Sequence, residues 1–223
     1  MRHLTAAATL LLATTVTAQD ADRSVAGGGI KVPGWMGRVD ERPAKQGKTV
    51  NDSKFEKMGN DFMLKAGPAG IFWNDAGTAS GDYTVKATFS EKAMKAQHPH
   101  SYGVFIGGND LNDETKQTFA YCIVYGTGKY SIKYFNGWKV TSVAEMVEHP
   151  AIKKADAKGD ATNEVGWRVK GGTATCMVNG QEVKAVPAAD LVGAGKLSST
   201  NGKYGYRVSH NLDLMVTPIV VGK

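Results

Sequence analysis

Residues 163–186 admit few folds. Val165, Trp167 and Val169 alternate with Gly166, Arg168 and Lys170, which is the period of a strand with one buried face. Gly171-Gly172 supplies the positive φ angles of a tight hairpin. A second run, 174–178, ends at Asn179-Gly180, a strong short-range hairpin signal. A third run, 181–186, leads into Pro187. Three antiparallel strands within 24 residues predict an up-and-down sheet.

The rest of the chain repeats the theme. In 81–90, Tyr83, Val85, Ala87 and Phe89 share one face and Asp82, Thr84, Lys86 and Thr88 the other, a half-buried strand. Residues 118–125 differ. Phe119, Tyr121, Ile123 and Tyr125 oppose Ala120, Cys122 and Val124, and a strand apolar on both faces belongs inside a layered structure. Gly126-Thr127-Gly128 and Asn136-Gly137 turn the chain into further strands at 129–135 and 138–143. Shorter strands are predicted at 36–40, 61–65, 70–73, 102–107, 204–208 and 212–221, with Pro218 placing the last at an edge or a bend. Residues 144–163 carry no strand signal and read as a crossover. About ten to twelve strands, no helix beyond two turns and no fixed-period repeat predict an all-β, two-sheet antiparallel β-sandwich, a single domain spanning 35–223.

At the N-terminus, Met1-Arg2-His3 precedes an uncharged run through Leu10-Leu11-Leu12, with small residues at Val16 and Ala18. This is the pattern of a signal peptide over 1–18, cut before Gln19. The run is too short to span a bilayer with both ends anchored, and no later segment reaches ~20 apolar residues. The expectation is an exported protein, periplasmic or extracellular, with no membrane span after cleavage. Residues 19–34, Gly-rich at Gly27-Gly28-Gly29, read as a flexible N-terminal arm. The net charge of +6 comes from scattered lysines, 21 Lys against 6 Arg. A nucleic-acid face usually shows an Arg-rich stripe, so nucleic acid is not expected as a partner. Two cysteines, Cys122 and Cys176, permit a disulfide in an exported chain; a pair of buried free thiols is the other reading.

The order of these features resembles a known group. The 81–90 strand, Tyr102-Gly103-Val104-Phe105-Ile106-Gly107-Gly108 and a hairpin pair come first. Asn163-Glu164-Val165-Gly166-Trp167-Arg168-Val169 follows, then a strand ending Val178-Asn179-Gly180, then Gly202-Lys203-Tyr204-Gly205-Tyr206-Arg207. This resembles the concanavalin A-like lectin and glucanase jelly rolls, laminin-G-like modules among them. It is nearest to the exported bacterial family of 3-keto-disaccharide hydrolase-like domains, over roughly 35–221. The resemblance implies a jelly-roll sandwich and a saccharide or other cell-envelope ligand. It also implies that some relatives hold a structural calcium near the terminal strands, which nominates Asp213. The catalytic motifs of these groups are not matched. No Glu-x-Asp-x-x-Glu strand supplies the closely spaced carboxylates of a retaining glycosidase, Ser101-Tyr102-Gly103 stands where the hydrolase family has Asn-Ser-Gly, and residues 119–125 hold no carboxylate.

Candidate sites follow. Asp110, Asn112 and Glu114 mimic the opening of an EF-hand loop, but Thr115 stands where the glycine is required and no closing Glu follows. They read as a solvated loop, with no cofactor expected and calcium at Asp110, Asn112 or Asp213 as the alternative. His98 and His100 lie two apart without an evident third metal ligand. His210, Arg207 and Asp213 form a polar trio without a nucleophile. A hydrolase would draw its acid and base from His100, Asp110, Glu114 and His210. Sugar rings stack on aromatic planes while neighbouring polar groups bind their hydroxyls. Tyr121, Tyr125, Tyr130 and Tyr134, on adjacent strands, are therefore the ligand-face candidates, joined by Tyr102 and Arg207; Trp73 and Trp167 are assigned to the core. The reading is an exported non-catalytic module that binds carbohydrate or another cell-envelope ligand. The alternatives are a glycoside hydrolase or lyase of the 3-keto-disaccharide hydrolase type, and a structural protein-interaction domain working by strand addition.

Overall fold

Period-two alternation dominates the computed structural model, which describes residues 20–95 and 98–223. The leader expected at 1–18 lies outside the described residues. The first half of the chain forms β1 (Gly29–Ile30), β2 (Trp35–Val39), β3 (Lys54–Met58), β4 (Asp61–Ala66), β5 (Gly70–Ala79), β6 (Tyr83–Glu91), β7 (Ser101–Asn109) and β8 (Thr118–Tyr125). The second forms β9 (Lys129–Asn136), β10 (Lys139–Glu148), β11 (Ala161–Lys170), β12 (Thr173–Val178), β13 (Gln181–Pro187), β14 (Gly202–Val208), β15 (Leu212–Val216) and β16 (Val220–Gly222). Two short helices, α1 (Glu41–Lys45) and α2 (Ala188–Leu191), and a 3-10 turn at Val50–Asp52 complete it. None is long and apolar enough to cross a membrane.

The strands form two sheets. One runs β10-β9-β8-β7-β14-β5-β2, seven strands. The other runs β1-β3-β4-β15-β6-β11-β12-β13, with β16 also pairing with β6, nine strands. The β11-β12-β13 meander is the one predicted, with Trp167 opposite Cys176 and Val165 opposite Val178. Its turns use positive φ where expected, at Gly171, Gly172, Asn179 and Gly180. The last predicted strand bends: β15 and β16 both pair with β6 on either side of Pro218, because proline cannot donate to the ladder.

Three contacts tie the layers together. The inner faces interdigitate in one cluster that includes Phe55, Phe89, Tyr102, Val104, Ile132, Trp167 and Tyr206, all buried. Trp167 Nε1 on β11 donates to the Val104 carbonyl on β7 at 3.0 Å, crossing from one sheet to the other. Cys122 on β8 and Cys176 on β12 form a disulfide with Cα atoms 6.0 Å apart, so the disulfide reading holds and the free-thiol reading does not.

The expectation changes in three places. Residues 20–34 are tied down rather than loose. Arg23 Nε donates to the Ala66 carbonyl, its Nη2 donates to the Leu212 carbonyl at 2.7 Å, and the guanidinium pairs with Asp213. β1 then adds in parallel to β3. The partners lie up to 190 residues away in sequence, beyond the reach of any local pattern. β3 went unpredicted because Lys54, Glu56 and Lys57 mask a strand whose buried anchor is Phe55. Finally, β10 runs to Glu148, shortening the expected crossover. Its register shifts twice, around Ala144, which breaks the alternation that marks a strand.

The disulfide closes a loop between positions 54 apart in sequence. On the chain-entropy argument this is worth about 4 kcal/mol. A Cys122→Ala/Cys176→Ala double variant is expected to lose that much in denaturant titrations, and reduction of the native protein should do the same. An unchanged midpoint in both would refute the staple.

Candidate functional site

Because β8 is apolar on both sides, the seven-stranded sheet carries a second cluster on the face turned away from the sandwich core. It comprises Ile71, Trp73, Phe105, Leu111, Phe119, Tyr121, Ile123 and Phe135, with Met36 and Tyr125 packed against it. Strand register sets the rows. Met36 lies opposite Trp73 and Arg38 opposite Ile71; Arg207 lies opposite Ile71 on one side and Gly103 on the other. Tyr121 is opposite Phe105 and Lys133. An aromatic sheet face interleaved with arginines results.

Arg207 is the centre of this face. It is buried, with 8% of its surface exposed. Both terminal nitrogens donate to Asp40, at 2.5 and 2.6 Å. Its guanidinium also lies over the rings of Tyr121 and Phe135, at 5.1 and 5.5 Å. Burial opposes the charge, but the Asp40 carboxylate outweighs it and holds the guanidinium protonated. The same surroundings keep the Tyr121 hydroxyl protonated: burial pushes it up to about 12. At one rim Arg38 reaches over Trp138, 5.4 Å from the ring centroid. Burial pulls the Arg38 guanidinium below its ordinary value, partly offset by Asp40 and Glu114. On the β9–β10 hairpin Lys133 pairs with Glu145 at 2.5 Å, and Ser142 donates to the same carboxylate.

The structure sorts the sequence candidates. Tyr121, Tyr125 and Arg207 share the outer face, and Glu114 comes close enough to Arg38 to act on its charge. Tyr102, Tyr130 and Tyr134 lie in the inter-sheet core, so the four hairpin tyrosines do not share a face. The three-residue turn after β8 pairs Val124 with Tyr130 and Ala120 with Tyr134; a one-residue difference in register inverts every side chain. Tyr102 is fully buried and accepts a hydrogen bond from Asn163 Nδ2 at 3.3 Å. Trp167 is in the inter-sheet core, whereas Trp73 is buried on the outer face. The His210, Arg207 and Asp213 trio is dispersed. His210 pairs with Asp22, Asp213 with Arg23 and Arg207 with Asp40. The loop carrying Asp110 and Asn112 is braced by backbone bonds to Asp110 and Asp113, while Leu111 plugs into the outer-face cluster. Among the described residues no three His, Cys, Asp or Glu side chains converge as a metal site.

Arg38, Asp40 and Trp138 carry the face, and none of the three is among the ligand-face candidates of the sequence. The signal was available: along β2 and just past its end, Met36, Arg38 and Asp40 alternate onto one side.

A second polar feature lies at the end of the sandwich. A cleft of about 400 Å³ is lined by Glu91, Met94, His100, Asp213 and Arg23, among others. His100 in its wall meets the ring of His210 edge to face at 4.5 Å. Burial pushes the Glu91 carboxyl up to about 8. Burial, then the neighbouring His210, pulls His100 down to about 4.

With this geometry in place, comparison with known proteins shows how far the likeness goes. No family model matches the chain, and no curated protein matches it. Solved structures do. The carbohydrate binding module CBM66 from Bacillus subtilis aligns with a TM-score of 0.59 at 8% identity, covering 88% of this chain and 99% of that one. The laminarinase catalytic domain from Thermotoga maritima aligns at 0.57 and 10% identity, covering 86% and 93%. The alginate lyase A1-II′ aligns at 0.51 and 12%, covering 86% and 96%. This chain has the concanavalin A-like sandwich. At such identities the likeness is one of fold, and one fold hosts many functions.

Two outcomes follow. Asp40→Ala strands the buried Arg207 charge and is expected to cost about 3–5 kcal/mol. An Asp40→Leu/Arg207→Met double variant should recover much of that loss in urea titrations; equal losses in both would contradict the pairing. The second concerns pH. Between the ordinary carboxyl value and about 8, folded Glu91 keeps a proton that the unfolded chain has released, so stability falls as pH rises. His100 acts oppositely but only between about 4 and 6.5, where the unfolded chain alone binds the proton. From pH 6.5 to 8 the native protein should therefore lose about 1.4 kcal/mol per unit through Glu91, and Glu91→Gln should abolish that slope. A slope unchanged in the variant would rule Glu91 out.

Proposed function

We propose that this chain is an exported module that binds saccharide on the outer face of its seven-stranded sheet. The observation that carries the reading is the aromatic face set with charged donors: Tyr121 and Phe135 around Arg207, and Trp138 against Arg38. Sugars present apolar C–H faces to rings and hydroxyls to polar side chains, so a mixed surface of this kind suits them. Trp138 and Tyr125 are part-exposed and reachable. A fold shared with a carbohydrate binding module and a laminarinase domain supports the reading. The disulfide suits an oxidising compartment and so supports export.

A second reading rests on the end cleft. A carboxyl held protonated and an imidazole held neutral, lining one cavity, are the combination general acid–base chemistry requires. On this reading the chain is a glycoside hydrolase or lyase, and Glu91→Gln abolishes turnover on a glycan panel.

The two readings separate cleanly. A glycan array probed with the native protein should give hits that Trp138→Ala weakens by roughly tenfold or more, with no product released. Binding that Trp138→Ala leaves intact would move the site off this face. Turnover lost with Glu91→Gln would favour the enzyme.

A further inference from the structure

The outer face has an unbalanced set of hydrogen-bonding groups. Arg38 Nε and Nη1 and Trp73 Nε1 are buried donors without a hydrogen-bond partner. Trp73 is 1% exposed, so water cannot satisfy its indole in this conformation. A bare buried donor forfeits its desolvation energy without return, and such groups call for an explanation. Arg38 and Trp73 are diagonal neighbours on β2 and β5, since Arg38 faces Ile71 and Met36 faces Trp73. The three donors therefore sit on paired strands of one face.

The other charges on this face are already committed. Arg207 is held by Asp40 and Lys133 by Glu145. Arg38 has no ion pair among the described residues; the Asp40 and Glu114 carboxylates act on it through space without a hydrogen bond, and its guanidinium rests on the Trp138 ring. Trp138 follows the Asn136-Gly137 turn at the tip of the β9–β10 hairpin, where a side chain can swing without disturbing a ladder. The locus thus lacks a hydrogen-bond acceptor for these donors, and the ring that rests on the Arg38 guanidinium can move.

We propose that this face selects saccharides bearing a carboxylate. The carboxylate takes the Arg38 guanidinium in a forked contact, Trp138 moves from the guanidinium onto the sugar ring, and Trp73 Nε1 donates to a sugar oxygen. The inference rests on the saccharide reading above and narrows it to uronate-containing glycans. Arg suits this role because its planar fork matches a carboxylate bidentately, which a lysine cannot do.

The test is calorimetric titration of the full chain with polygalacturonate, a sulfated dextran and a neutral β-glucan. The expected result is polygalacturonate bound at least roughly tenfold more tightly than the neutral glucan. Arg38→Gln and Arg38→Lys should each lose most of that preference, and Trp73→Phe a smaller part, in variants whose circular dichroism matches the native protein. Because the chain is basic, Lys170→Gln/Lys184→Gln on the opposite sheet serves as the control and should bind unchanged. Preference for the neutral glucan, or a loss shared equally by the lysine control, overturns the inference while leaving a saccharide site standing. Binding of the sulfated polymer in place of the uronate overturns the carboxylate assignment. Binding of none of the three overturns both readings.

Discussion

A guanidinium taken out of water must find a carboxylate, and the seven-stranded sheet is arranged around that demand. Arg207 stands mid-sheet on β14 with its side chain on the outer face, and Asp40 meets it with two short hydrogen bonds. Everything nearby conforms to the pair. Asp40 follows the end of β2, so β2 must lie close to β14 with only β5 between. Gly103 faces Arg207 across the ladder without a side chain to obstruct it. Tyr121 and Phe135 then lay their ring faces against the charge. The ion pair contributes little net stability, since desolvation offsets most of its attraction. What it does is fix where the arginine and the rings sit.

The opposite side of the same sheet supplies rigidity. Inner-face residues of β8 and β7 are joined to the nine-stranded sheet by the Cys122–Cys176 disulfide and by the Trp167 hydrogen bond to Val104. A face whose strands are held from behind can present side chains with little reorganisation, the condition under which modest contacts give useful affinity. The arm from Asp20 onward works in the same direction. By inserting Arg23 between two backbone carbonyls and Asp213 it fastens the terminal strands.

The sequence read most clearly where one face is buried and the other wet. β6 alternates without interruption and β11 nearly so, and turn residues mark the ends of the β11-β12-β13 strands, so the meander and the sandwich were legible. Doubly apolar strands were harder. The run Gly70-Ile71-Phe72-Trp73 cannot say which of Phe72 and Trp73 turns inward, and the register against Tyr206 and Gly205 decides it. The tyrosines split for the same reason, one residue of hairpin register moving Tyr130 and Tyr134 inside. The site lay deeper still, because the Arg38–Asp40 segment, Trp138 and Arg207 come from distant parts of the chain and meet only when β2 and the β9–β10 tip close over the sheet. His100 and His210 likewise converge only through the turn after β14.

The four tryptophans divide the molecule in a way one measurement can read. Trp35 and Trp167 pack within the sandwich, Trp167 with its indole already bonded, while Trp73 and Trp138 belong to the outer face. Indole amide resonances followed by NMR during titration with a bound saccharide test the central claim directly. The account predicts that the Trp73 and Trp138 signals move together with saturation, with Trp35 and Trp167 unmoved. Saturable binding that shifts Trp35 or Trp167 and leaves the outer pair in place would contradict it.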